Sequence, residues 1–225
     1  PMAIGFRIRP VTQRIPPALV ARAAAIPVAN LGDVMHRMQS FSGTFHPYGG
    51  LKRACGPAFT VKARSGANLM LHRAVDLAEP GDIIVGDGNG DLTVALMGDL
   101  MLGHCEARGI RAVVLDGAVR DVANLARMNL GVWARGHTPA GPWKEGPGEI
   151  GTTIACAGQV VAPGDLICCD EDGIVVVPLA EAEAVIAAAE AHNAKEIAAE
   201  AEIKAGTWDR AWVAPALAAK GCEGA

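Results

Sequence analysis

The sequence predicts an α/β domain built in layers, and three observations carry that expectation. Short apolar runs that read as strands alternate with segments of helical period through the first half of the chain. From Gly151 to Val177 the pattern turns β-rich, and from Leu179 to Ala205 it is alanine- and glutamate-rich and strongly helical. The chain has 225 residues, of which 51% are hydrophobic and 20% charged. A chain of that size buries roughly 70% of its unfolded surface, enough for a core without staples. Aromatic residues make up only 4%, so small side chains and closely approaching elements are expected in that core.

Each element has its own local reason. Pro17 to Ala25 reads as a short helix with proline at its start. A second helix is expected from an Asn30 N-cap through Met38, with Gly43 to Gly50 a loop. Phe59, Val61 and Ala63 alternate with Thr60, Lys62 and Arg64, the period of a half-buried strand. Asn68 then caps a helix running to Ala78. Glu79-Pro80-Gly81-Asp82 and its near-copy Ala162-Pro163-Gly164-Asp165 read as type II turns, with glycine taking the positive φ. Each delivers the chain into a buried strand, Ile83–Val85 and Leu166–Cys168. After the first of these, the glycine-rich run Gly86 to Asp91 leads into a helix expected from Leu92 to about Arg108, stopped by Gly109. Ala112 to Leu115 is a strand followed by an Asp116-Gly117 turn. Asp121 opens a helix ending near Gly131, and Val132 to Ala134 is a further strand. Residues 137–149 form a long Gly- and Pro-rich loop, either a lid around Trp143 or a plain surface connection. The last twenty residues carry Trp208 and Trp212 and make a tail that one domain struggles to bury.

Composition narrows the function classes. With 24 acidic against 20 basic residues the chain carries a formal charge of −4, which argues against a nucleic-acid binder. No run of 18 apolar residues appears, so no membrane-spanning helix is expected. The stretch Pro1 to Pro17 lacks an apolar signal-peptide core, and a cytoplasmic protein is expected. Cys55, Cys105, Cys156, Cys168, Cys169 and Cys222 form no C-x-x-C pair, so they read as small buried hydrophobes in a reducing compartment.

One polar residue interrupts an apolar pattern. If a helix begins at Leu92, then Leu92, Ala95, Leu96 and Leu102 mark its apolar side, and Asp99 falls within that stripe. A carboxylate there is either an edge position that stays wet or one with a cation, a donor or a metal beside it. Arg120 and Asp121 follow the strand Ala112–Leu115, at the kind of loop where α/β folds place ligands. Asp121 also reads as a plain helix N-cap and Arg120 as a structural partner for Asp99. Taken together, the arginine fork suits a carboxylate ligand, and neighbouring acids suit a hard divalent cation.

Gly98-Asp99-Leu100-Met101, the block Arg108 to Asp121 ending in Ala118-Val119-Arg120-Asp121, and Pro163-Gly164-Asp165-Leu166 with Asp170 to Pro178 resemble the RraA-like family. The resemblance covers roughly residues 15–205 and includes the spacing D-x20-R-D. That family contains class II 4-hydroxy-4-methyl-2-oxoglutarate/4-carboxy-4-hydroxy-2-oxoadipate aldolases and a regulator of ribonuclease E; many members carry a menaquinone methyltransferase label. The resemblance implies a β/β/α swivelling domain over 1–178, with the C-terminal helix and tail of 179–225 packed on a neighbouring subunit of a homotrimer or homohexamer. It implies that Arg120 binds the carboxylate and keto oxygen of a pyruvyl group, and that Asp121 holds Mg²⁺ or Mn²⁺. Asp99 is implied to hold a metal-bound water, and the backbone of the Gly98-to-Met101 turn, through Leu100 and Met101 N–H, to receive the pyruvate carboxylate. A glutamate from a neighbouring subunit's C-terminal helix is implied to complete the site, here Glu196, with Glu200 as the alternative.

The expected chemistry is retro-aldol cleavage of a 4-hydroxy-2-oxo di- or tricarboxylic acid to pyruvate and an oxo acid, with oxaloacetate decarboxylation as a side activity. A Schiff-base mechanism finds no lysine in a strand core except Lys62, which alternates to the polar face. The run Gly86-x-Gly88-x-Gly90 fails as a dinucleotide loop because Asp91 stands where glycine or alanine is needed. His104 and His192 fall on helices and read as satisfied or solvent-facing. The competing reading is a non-catalytic protein that binds and regulates a ribonuclease.

Overall fold

The computed structural model describes residues 4–42 and 44–224. Gly43, at the head of the expected loop, and Pro1 to Ala3, within the stretch read for export signals, lie outside them. The strands are β1 (Phe6–Ile8), β2 (His46–Pro47), β3 (Ala54–Ala63), β4 (Ile83–Met97), β5 (Ala112–Val119), β6 (Gly131–His137), β7 (Gly148–Ile150), β8 (Ile154–Cys156), β9 (Gln159–Val161), β10 (Leu166–Cys169) and β11 (Ile174–Val177). The helices are α1 (Pro17–Ala24), α2 (Val28–Val34), α3 (Leu69–Leu77), α4 (Asp99–Ala107), α5 (Val122–Leu125), α6 (Ala182–Ala205) and α7 (Val213–Ala219).

Strand β3 is the hinge of the architecture. Its second half, Ala58 to Lys62, pairs parallel with β4, and β4, β5 and β6 continue the parallel run. Its first half, Ala54 to Pro57, pairs antiparallel with β10, which pairs with β11. One strand thus serves two sheet layers. Leu71, Leu102, Leu115 and Leu125 fill the space between the parallel strands and α3, α4 and α5. Phe41, Trp133, Ile167 and Val176 fill the space between the two sheet layers. Leu31, Leu166, Val177 and Ile186 close the second sheet against α1, α2 and α6. The layered β/β/α expectation holds.

Both Pro-Gly turns form as expected. Asp82 N–H donates to Glu79 O at 3.0 Å and Asp165 N–H to Ala162 O at 3.2 Å, with φ of +90° at Gly81 and +88° at Gly164. The acids that follow lock the turns: Asp82 accepts Glu79 N–H and pairs with Arg14, while Asp165 accepts Ala162 N–H and Leu179 N–H. These contacts explain buried carboxylates at the starts of β4 and β10.

Several expectations are corrected. The second helix starts earlier, with Pro27 at its N-cap, and ends at Val34, leaving Asn30 buried inside it. Strand β3 is not half-buried: Thr60 is fully buried and donates to Thr152 O. Asn68 precedes α3 but does not cap it: its Oδ1 accepts no N–H of the helix, and its Nδ2 donates to Leu96 O. Asp116 and Gly117 continue β5 rather than ending it. The largest difference lies at Leu92 to Met97, which extend β4. Ala95 and Met97 pair with Ala118 and Val119, and Ala95 N–H donates to Ala140 O. Leu92, Ala95 and Leu96 fit a helix by their spacing while Leu92, Val94 and Leu96 fit a strand by their alternation, and a neighbouring strand decides.

Five cysteines are buried and Cys222 is exposed; all six are free thiols. Lys62 is exposed, as its alternation predicts. Among the described residues, no helix is long and apolar enough to cross a membrane. Helix α6 buries Ile186 and Ala189, but its second half is exposed at Ile197 and Ile203, and Trp208 and Trp212 beyond it are exposed as well.

Candidate active site

The true start of α4 rearranges the site. Asp99 is not a flaw in an apolar helical stripe; it is the first residue of a helix whose N-cap is Gly98. The first bond inside α4 is Leu102 N–H to Gly98 O, so Leu100 and Met101 N–H have no acceptor within the helix. A helix start with free N–H groups favours an anion. Had the helix begun at Leu92, those two groups would be locked in its ladder.

Asp121 does not cap its own helix. It stands in the left-handed region at φ 63°, and its Oδ2 accepts Asp99 N–H at 3.1 Å. The same oxygen lies 3.4 Å from Arg120 Nε, and Asn124 Nδ2 donates to Asp99 Oδ2 at 2.8 Å. Arg120 is held by its backbone N–H, which donates to Met97 O. The structure thus brings Gly98, Asp99, Leu100, Met101, Arg120 and Asp121 together where β4 and β5 end.

Gly98 is there for lack of room. A Cβ on it would meet Asp121 Oδ2 at 2.5 Å and Arg120 Cγ and Nε at 2.9 Å. Those contacts lie below any real Cβ approach, so any other residue at 98 displaces the pair.

Each carboxylate uses Oδ2 in these bonds, and neither Oδ1 has a donor among the described residues. Two carboxylates on adjoining elements with oxygens left over form a donor set that suits a hard divalent cation. Arg120 and Asp121 are 43% and 35% exposed at the side chain, so the site stands open in a single chain.

Arg120 separates two cavities. One, of about 130 Å³, is lined by Asn68, His72, Gly98, Asp99, Met101 and Lys144. The other, of about 450 Å³, is lined by Asp121, Asn124, His137 and Thr138. A larger cavity of about 670 Å³ lies under α1, among Ile15, Val20, Arg53 and Arg111, and holds none of these residues.

Sequence reasoning missed His72, Lys144 and Asn124. Asn68 and His72 lie one helical turn apart, a spacing that puts them on one face and was available as a signal. Lys144 had none. It reaches the cavity because Trp143 bridges to the start of α3, with Trp143 N–H donating to Gly66 O at 2.8 Å and Asn68 N–H to Trp143 O at 2.9 Å. The middle of the long loop is therefore tied down. Burial and the Lys144 cation hold His72 below its ordinary pKa, against a smaller opposing pull from Asp76.

Glu196 stands elsewhere in the chain. Its Oε2 accepts Asn30 Nδ2 at 2.9 Å and its Oε1 lies 3.3 Å from His192 Nε2. Asp33, His192 and Glu196 offer ligand atoms all within 4.8 Å of one another. His192 therefore faces two acids rather than open solvent. His104 lies 3.9 Å from Asp76. Glu200 is exposed on the same helix.

Fold and site together define an α/β protein in which an arginine, two acids and a helix N-terminus converge where two cavities meet at Arg120. The chain belongs to the RraA-like family, whose model, described as Aldolase/RraA, matches residues 28–176. A protein of Halalkalibacterium halodurans named "Putative 4-hydroxy-4-methyl-2-oxoglutarate aldolase" is 36% identical over 184 residues, which is 82% of this chain and 88% of that protein. The structure of the RNA-processing inhibitor RraA from Thermus thermophilis superposes with a TM-score of 0.63 at 29% identity, covering 68% of this chain and 92% of that one. A Geobacillus kaustophilus structure titled as an S-adenosylmethionine: 2-dimethylmenaquinone methyltransferase gives a TM-score of 0.64 at 32% identity, covering 68% and 95%.

Proposed function

We propose that this protein is a divalent-metal-dependent carbon–carbon lyase, a class II aldolase that cleaves 4-hydroxy-2-oxo di- or tricarboxylic acids to pyruvate and an oxo acid. The observation that carries the reading is the contact set of Asp99, Arg120 and Asp121 at the bare start of α4. The aldolase name of the relative from Halalkalibacterium halodurans supports it.

In this reading Leu100 and Met101 N–H receive the carboxylate of the pyruvyl half, and Arg120 binds its carboxylate and keto oxygen. Asp99 orients the water that takes the C4 hydroxyl proton and later returns one to the pyruvate enolate. Arg120 meets the charge of that enolate, and one such preorganised donor is worth about 3 kcal/mol. Asp121 would hold Mg²⁺ or Mn²⁺, which when bound would supply Lewis-acid stabilisation of the enolate charge. Lys144, at the rim of the smaller cavity, provides a cation for a distal carboxylate. Oxaloacetate decarboxylation passes through the same enolate and accompanies the lyase reaction.

The open face of the site calls for a second copy of the chain. Residues 1–178 form the domain together with the first half of α6, which packs on α1 and α2 of its own chain, and the second half of α6 and the tail to 225 pack on a neighbouring subunit of a trimer or hexamer, bringing Glu196, or Glu200, to the site. The exposed Ile197, Ile203, Trp208 and Trp212 support this assignment. A small oxo acid is the substrate; nucleic acid and membrane are not partners, and the compartment is the cytoplasm.

A panel of 4-hydroxy-2-oxo acids, assayed for pyruvate release with Mg²⁺ and with a chelator, tests the proposal and names the substrate. A second reading rests on the likeness to the Thermus inhibitor: a protein that binds and regulates a ribonuclease without catalysis. Chelator-insensitive absence of pyruvate release from every acid and from oxaloacetate favours it.

A further inference from the structure

We infer that Asn124 is a positioning residue for Asp99, an inference that rests on the lyase reading above. Three hydrogen bonds close a ring between α4 and α5. Asp99 N–H donates to Asp121 Oδ2 at 3.1 Å, Asn124 N–H donates to Asp121 O at 2.8 Å, and Asn124 Nδ2 donates back to Asp99 Oδ2 at 2.8 Å. The first bond fixes the backbone of Asp99 and the side chain of Asp121. Only the third fixes the side chain of Asp99.

The ring exists because Asp121 is left-handed. With φ 63° and ψ 34°, it turns the chain sharply between β5 and α5 and brings Asn124 back over the start of α4. Asparagine in a helix ordinarily turns its amide to water or to its own backbone. Asn124 instead spans 25 residues to a carboxylate, on an element only four residues long. Its donation occupies Asp99 Oδ2 and holds the carboxylate in one orientation, with Oδ1 left to orient a water. Losing that bond frees Asp99 to rotate while Arg120, Asp121 and the N–H groups of Leu100 and Met101 stay in place. The expected defect is in turnover rather than in ligand binding, since misplacing a reacting group by about 1 Å costs up to 10²-fold.

The test compares Asn124→Leu, which keeps the volume and removes the donor, with Asn124→His, whose Nδ1–H reaches about as far. Asn124→Leu is expected to lower kcat for pyruvate release about 10- to 50-fold, with KM and the dissociation constant for oxalate within about twofold of wild type. Asn124→His is expected to recover kcat to within about threefold. Metal-free crystal structures of wild type and Asn124→Leu read the Asp99 rotamer independently of turnover, and it is expected to change. Wild-type kcat in Asn124→Leu with an unmoved Asp99 overturns the inference. So does a loss shared equally by oxalate affinity and thermal stability that Asn124→His fails to rescue. If wild type itself releases no pyruvate, the lyase reading fails, while the Asp99 rotamer still decides whether Asn124 positions it.

Discussion

Asp121 accepts the backbone N–H of Asp99 at 3.1 Å, so a carboxylate 22 positions later in the chain sits at the first N–H of α4. The end of one strand therefore caps the helix that follows its neighbour. This contact makes the two acids and Arg120 a single unit, and changes to any of the three should act on one reaction.

Replacing Asp121 by Asn, or Arg120 by Ala, should lower pyruvate release by at least about 10²-fold on both a 4-hydroxy-2-oxo acid and oxaloacetate. Parallel loss on the two substrates is the expected signature of a shared enolate. Wild-type turnover by either variant contradicts the assigned roles.

Gly98→Ala forces a Cβ into the 2.5 Å approach to Asp121 Oδ2. We expect activity to drop by about 10²-fold through displacement of Arg120 and Asp121. Because the clash lies at an exposed surface, the melting temperature should fall by only a few degrees. Unchanged kcat/KM in a folded Gly98→Ala protein counts against the placement of this pair.

Metal removal separates two chemistries. Dialysis against a chelator should abolish pyruvate release, and Mg²⁺ or Mn²⁺ should restore it. Borohydride added with pyruvate should leave the activity intact, because the proposed reaction passes through no Schiff base at Lys62 or at Lys144. Irreversible inactivation by borohydride is the adverse result.

His72 should leave a mark on stability as a function of pH. Burial and Lys144 lower its pKa in the folded protein. The unfolded chain takes up a proton near pH ~6.5, where the folded protein does not. Stability therefore declines as pH falls through that value, and stops declining once the folded histidine protonates. His72→Gln should flatten the decline, read from urea midpoints at successive pH values. Superimposable curves show that no such linkage operates.

Thiol labelling checks the reading of the cysteines. Burial pushes Cys105 up to about 12 and raises Cys156, Cys168 and Cys169 as well. Cys55 is buried and Cys222 alone is exposed. The native protein should titrate one thiol with an aromatic disulfide reagent near neutral pH, and the unfolded protein six. Rapid labelling of Cys168 or Cys169 in native protein would falsify the packing described.

Local chemistry accounts for the elements that residue order alone makes readable. The two Pro-Gly turns, the apolar strands they feed, the helix α1 with its leading proline and the alanine-rich α6 follow from φ preferences and residue period over a few positions. Arg120 and Asp121 stand out as a pair because they are adjacent, and Asp99 because it interrupts an apolar spacing, although that spacing belongs to the end of a strand and not to a helix. That Leu92 to Met97 form a strand follows from long-range pairing, since their apolar pattern satisfies helix and strand alike and β5 settles it. That decision moved the helix start to Asp99, freed the N–H groups of Leu100 and Met101, and sent Asp121 to another helix's end. Lys144 and Asn124 were hidden for the same reason. Each reaches the site through hydrogen bonds between segments far apart in the chain, and no period within a single segment encodes a contact made between two.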